Sequence, residues 1–125
     1  MKYAKLELNA AWNTYTCTEA SDAEMLILGN MLADDVRDNA LSYKQTLADD
    51  TLRGQNGNFV SMVKENDHVI LSDLYSEKAV PTEFRIPQHA FEQLLDDWQE
   101  KICNVRPKEL IIEQNDSAFI VETKD

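Results

Sequence analysis

Thr82-Glu83-Phe84-Arg85-Ile86-Pro87-Gln88-His89-Ala90-Phe91-Glu92-Gln93-Leu94-Leu95-Asp96-Asp97-Trp98 carries two hydrophobic periods in succession. Phe84 and Ile86 alternate with Glu83 and Arg85, the period of two expected of a half-buried strand over 82–86. Beyond Pro87 the spacing changes: Phe91, Leu94, Leu95, Trp98 and Ile102 share one helical face, while Glu92, Asp96, Gln99 and Glu100 occupy the rest. Pro87 suits the first turn, where its missing N–H would have had no partner anyway. Pro107 marks a point by which the helix has stopped. A strand feeding directly into an amphipathic helix calls for a sheet and a helical layer around one core.

Working outward, 109–114 and 117–122 flank Asn115-Asp116 and read as a hairpin. Upstream, the apolar, β-branched runs 59–64 and 69–74 are separated by Glu65-Asn66-Asp67-His68, a hairpin with a four-residue connection. Residues 49–58 contain two glycines and two asparagines and read as a loop, since these residues tolerate the positive φ of turns. Further back, Met25, Leu28, Leu32 and Val36 fall on one helical face, with Gly29 inside the stripe. The stripe continues through Ala40, Tyr43 and Leu47 as one long helix or as two joined near Asn39. Ser21-Asp22-Ala23-Glu24 has the spacing of a capping box at its start. Ala4, Leu6 and Leu8 alternate with Lys5 and Glu7 over 2–8, a further strand.

The order is therefore β, α (one or two), β, β, β, α, β, β. The expected fold is α+β: an antiparallel or mixed sheet of about five to six strands with two or three helices mainly on one face. At 125 residues the chain suits a single domain spanning 1–125.

Twenty-three acidic residues oppose twelve Lys and Arg, a net charge of −11 at pH 7. Such a field repels nucleic acid and anionic membrane and speeds association with basic proteins. From Glu19 to Asp50 there are eight acids against Arg37 and Lys44, and the helix after Pro87 adds four more acids before Lys101. The excess thus belongs to the helical layer, which favours a docking surface over evenly spread solubility. Asp34, Asp35, Asp38, Asp49 and Asp50 are the expected partner-binding residues, beside a Gly/Asn-rich loop of the kind that gathers binding residues.

Catalytic and metal patterns are wanting. Glycines at 29, 54 and 57 make no phosphate loop, and neither GxSxG nor HExxH spacing occurs. His89-x-x-Glu92 places two potential ligands one turn apart without a second such pair. Asp67-His68 lies where a turn wants Asp in any case. The doublets Asp34-Asp35, Asp49-Asp50 and Asp96-Asp97 point about 100° apart on a helix, so none is itself a converging acid–base pair. No enzyme, no metal and no cofactor are expected. Cys17 and Cys103 lack paired spacing and should be free, mostly buried thiols. Residues 1–8 hold no apolar signal-type stretch and no run approaches a membrane span, so a cytoplasmic protein is expected.

Asn58-Phe59-Val60 through Ser72-Asp73-Leu74-Tyr75, then Phe84-Arg85-Ile86-Pro87, Phe91-x-x-Leu94-Leu95-x-x-Trp98 and Arg106-Pro107-Lys108-Glu109-Leu110-Ile111-Ile112, resemble small bacterial immunity proteins. These are the antidotes of contact-dependent inhibition and related polymorphic toxin systems. The likeness covers roughly 58–122. It implies a cytosolic protein that binds a toxin's C-terminal domain, often a nuclease with a basic cleft, and blocks it. An acidic adaptor with a non-toxin partner is the alternative reading, and a hydrolase with unrecognised carboxylate chemistry is a third.

Overall fold

The computed structural model describes residues 1–77, 79 and 82–125. Eight strands form two antiparallel sheets of four. β1 (Lys2–Asn9), β2 (Thr14–Ala20), β7 (Glu109–Asn115) and β8 (Ala118–Lys124) make one, in the order β2-β1-β7-β8. β3 (Gly54–Asn56), β4 (Val60–Glu65), β5 (His68–Asp73) and β6 (Glu83–Pro87) make the other, in sequence order. The α+β expectation holds, but a single sheet of five to six strands does not. Two strands had gone unread, the Thr-rich β2 and the short β3, and the β1–β7 pairing joins segments a hundred residues apart.

Each sheet turns one apolar face inward. Ala4, Leu6, Leu110, Ile112, Phe119 and Val121 are buried from the first, and Val60, Met62, Val69, Leu71, Phe84 and Ile86 from the second. Register keeps them on one face: Leu6 opposes Leu110 and Ile112 opposes Val121, while Leu71 opposes both Met62 and Phe84. The hairpin connection in the second sheet is two residues, Asn66 and Asp67, both with positive φ as a tight antiparallel turn requires.

The helices serve both sheets. α1 (Ala23–Asn30) packs against β1 and β2 and also against β5 and β6. α3 (Gln88–Asp97) packs against β8, β5 and β6, and α2 (Ala40–Ala48) against α3 and β3. α1 touches sheet on two sides, which is why Met25, Ile27 and Leu28 are all buried although they do not share one stripe. Gly29 marks its closest approach to β2: a Cβ there would meet the Cys17 sulfur at 2.5 Å. The cap at its start differs from the expected box. Asp22 accepts the Met25 N–H at 2.9 Å, the Ser21 hydroxyl accepts the Tyr3 N–H, and Glu24 pairs with Lys2.

Two helices, not one, follow β2. α1 continues as a π-helical stretch, Met31–Val36, that ends in a turn closed by Asn39 N–H donating to Val36 O at 2.7 Å. Arg37, second in that turn, has φ 50° and ψ −120°, a conformation that suits glycine. Its carbonyl accepts the Trp98 indole N–H at 2.7 Å. Trp98 opens the π-helical continuation of α3, Trp98–Cys103, and lies with Phe91, Leu94, Leu95 and Ile102 along a fully buried stripe. No described helix is long and apolar enough to cross a membrane.

Trp98→Ala should cost ~3–5 kcal/mol, because it opens a large cavity and leaves the Arg37 carbonyl only the weak Cys103 thiol donor. Arg37→Gly should do the reverse, adding ~1 kcal/mol by relieving the left-handed backbone. Denaturant unfolding of both variants checks the pair; a destabilised Arg37→Gly would show that the Arg37 side chain supports the fold.

Candidate functional site

One carboxylate fixes the wall of an apolar groove beside α1. Asp35, in the π-helical stretch, accepts backbone N–H groups from Asn58 (2.9 Å), Phe59 (3.1 Å) and Val60 (2.8 Å). Three amides aimed at one anion hold the β3–β4 connection against the end of α1. Gly57 is needed for that approach, since a Cβ there would lie 2.3 Å from the Asp35 Cγ. Leu74 N–H then donates to Phe59 O at 2.9 Å, and the Asp73 side chain accepts the Tyr75 N–H at 2.8 Å. Two aromatic lips result, Phe59 and Tyr75, with ring centroids 5.9 Å apart.

Facing them on α1 are Leu26, Ile27 and Asn30. The enclosed groove has a volume of about 400 Å³, with Val60 and Ile27 buried at its base. Tyr75 is 70% exposed, and Leu26 and Phe59 are each 45% exposed. Large apolar groups grouped in this way around a concavity are the usual anchors of protein recognition. Asp73 lines the groove, and among the described residues no Lys or Arg does.

Asp34 follows Asn30 by one helical turn. Burial, with Asp35 adding to it, raises its carboxyl above the ordinary range, while Arg37 acts in the opposite direction. It accepts no hydrogen bond among the described residues, so desolvation is uncompensated and a cation brought close would be strongly favoured.

The five acids expected to form one surface lie in two groups. Asp34, Asp35 and Asp38 precede α2, and Asp49 and Asp50 follow it; nine helical residues separate the groups by about 13 Å. Within the first group the roles diverge. Asp34 is half-buried near Cys17, outside the groove lining, and Asp35 is engaged by backbone amides. Asp38 pairs with Arg106 at 3.2 Å while remaining largely exposed. Asp49 turns onto the Thr51 amide and hydroxyl, which hold its carboxyl below the usual range, and Asp50 is exposed at the end of α2. Leu26, Phe59, Asp73 and Tyr75 were not among the expected binding residues. Their one signal is chemical, large apolar side chains at element ends beside turn-forming Asp and Asn.

A second hollow, about 270 Å³, lies at the other end of the same helical segment, lined by Trp12, Arg37, Asp38, Trp98 and Arg106. The Arg106 guanidinium reaches the Asn13 carbonyl and Asp38 and stacks 5.1 Å from the Tyr15 ring centre, and Trp12 is 76% exposed. Arg106 thereby ties the β1–β2 turn to the α1–α2 junction.

Among the described residues no group of three or more His, Cys, Asp and Glu is placed to hold a metal. Glu92, the partner suggested for His89, accepts from Gln88 instead, at 2.8 Å. Cys17 and Cys103 are unbridged and half-buried, and burial raises both thiols. No family model, curated protein or solved structure matches the chain.

Gly57→Ala keeps the Asp35 charge but pushes the carboxylate away from its amides. It should destabilise the fold by ~2–3 kcal/mol, much as Asp35→Ala does, and speed amide exchange at Asn58, Phe59 and Val60. Exchange at wild-type rates in Gly57→Ala would show that the connection is held by something other than Asp35.

Proposed function

We propose that this is a non-catalytic, cytoplasmic immunity-type protein that binds a toxin domain with a basic surface and neutralises it. The observation that carries this reading is the apolar groove, with Leu26 and Phe59 nearly half exposed, Tyr75 largely so, and Asp73 in its lining. A net charge of −11 steers a cationic domain toward the protein, and the groove supplies the contacts that keep it there. Asp34, half-buried and without a donor among the described residues, pairs with a Lys or Arg of the partner. Asp49 and Asp50, exposed beyond α2, contribute to steering alone. The likeness of 58–122 to immunity proteins points the same way, and two of the groove's anchors, Phe59 and Tyr75, fall within it. Inhibition follows from occupancy: a toxin held by its cationic surface cannot present that surface to nucleic acid or another anionic substrate.

Binding kinetics against a toxin domain encoded beside this protein, at two ionic strengths, test the assignment. Asp34→Lys should raise the off-rate and cost ~2–5 kcal/mol of affinity. Asp49→Lys/Asp50→Lys should slow association by a modest factor that shrinks as salt rises. Unchanged rates in both variants, with folding intact, would remove these acids from the interface.

A further inference from the structure

We propose that the groove between α1 and the Phe59 and Tyr75 lips receives an aromatic side chain flanked by a lysine or arginine on the docked protein. The groove chemistry selects this occupant, and only the protein source of the side chain rests on the function proposed above. The base is apolar, built from Ile27 and Val60, and a volume of about 400 Å³ accommodates a large ring with its flanking backbone. Phe59 and Tyr75 meet at 58° rather than stacked, so ring edges and faces are both available to a third aromatic group.

The polar rim fixes the flanking charge. Asp73 spends one oxygen on the Tyr75 N–H, and its other oxygen takes no hydrogen bond among the described residues. Asn30 offers a carboxamide that is likewise unengaged among them, suited to the peptide group beside the ring. Asp34 stands one turn further along the same helix. Lys2, the base nearest the start of α1, is already held by Asp22 and Glu24. A cation next to the inserted ring therefore finds the spare Asp73 oxygen, and among the described residues no base shares the lining. An acid in the same place would face Asp73. The lip is set in advance, because Asp35 fixes the backbone of Asn58, Phe59 and Val60 before anything docks.

The full chain can be titrated with three peptides, acetyl-Arg-Trp-Arg-amide, acetyl-Glu-Trp-Glu-amide and acetyl-Arg-Ala-Arg-amide, while the NMR signals of Leu26, Phe59 and Tyr75 are followed. The Arg-Trp-Arg peptide should shift all three saturably, with an affinity about tenfold above either control. Tyr75→Ala and Asp73→Asn should each weaken it severalfold. Equal binding of the Glu-flanked peptide would overturn the charge requirement, and equal binding of the Ala peptide the aromatic one. Arg-Trp-Arg shifts that fall elsewhere on the protein, or none at all, would overturn the proposal. A toxin domain bound equally by wild type and Tyr75→Ala, alongside saturable Arg-Trp-Arg binding, would take the groove out of the docking role and leave its ligand chemistry standing.

Discussion

The hydrogen bond from the Trp98 indole to the Arg37 carbonyl joins the two halves of the helical layer. Trp98 is fully buried, so its N–H must find an acceptor inside the protein. Backbone carbonyls at a helix end lack an intrahelical partner and are free to accept, and the break after Val36 provides one. Making that carbonyl point inward puts Arg37 into a left-handed turn, a strain of ~1–3 kcal/mol that a satisfied buried donor offsets. Everything placed around the break follows from it. α2 leaves in a new direction, Asp38 reaches Arg106, and the π-helical stretch holds Asp35 against the amides of Asn58, Phe59 and Val60.

Much of this architecture could be read from residue spacing. The stripe Phe91, Leu94, Leu95, Trp98 and Ile102 is buried throughout, and the alternation at Phe84 and Ile86 marks inner-face residues of β6. Pairing was less accessible. A Thr-rich strand such as β2 carries little hydrophobic alternation, since Thr16 and Thr18 face solvent and Cys17 is only half-buried. Local pattern also cannot tell that β1 adds to the C-terminal hairpin rather than to β4 and β5. With two strands missing, one sheet sufficed; with eight, two sheets must share the helices between them. The capping box failed on a narrower point. Asp22 is the better acceptor for the first turn, and Lys2 of β1 attracts Glu24 away from the backbone.

The candidate site was legible in its charge and not in its shape. An acid count locates the 19–50 segment but assigns every carboxylate the same role. The fold separates them by what each already touches: backbone amides for Asp35, Thr51 for Asp49, Arg106 for Asp38, and no donor among the described residues for Asp34. Asp35 is the instructive case, because its charge is consumed in shaping a loop and so contributes little to steering. The groove itself arises only when α1 and the ends of β4 and β5 come together, which no local spacing encodes. Glycine at 57 was visible as a turn residue, whereas its actual role is to admit a carboxylate.

The most direct measurement is amide hydrogen exchange of the protein alone and in complex with a basic toxin domain of the kind proposed as its partner. Docking at the groove predicts slowed exchange in α1, in residues 58–61 and in residues 73–76, with the outer faces of β7 and β8 unchanged. Slowed exchange confined to β7 and β8, or to the Trp12 turn, with the groove segments unaffected, would contradict it.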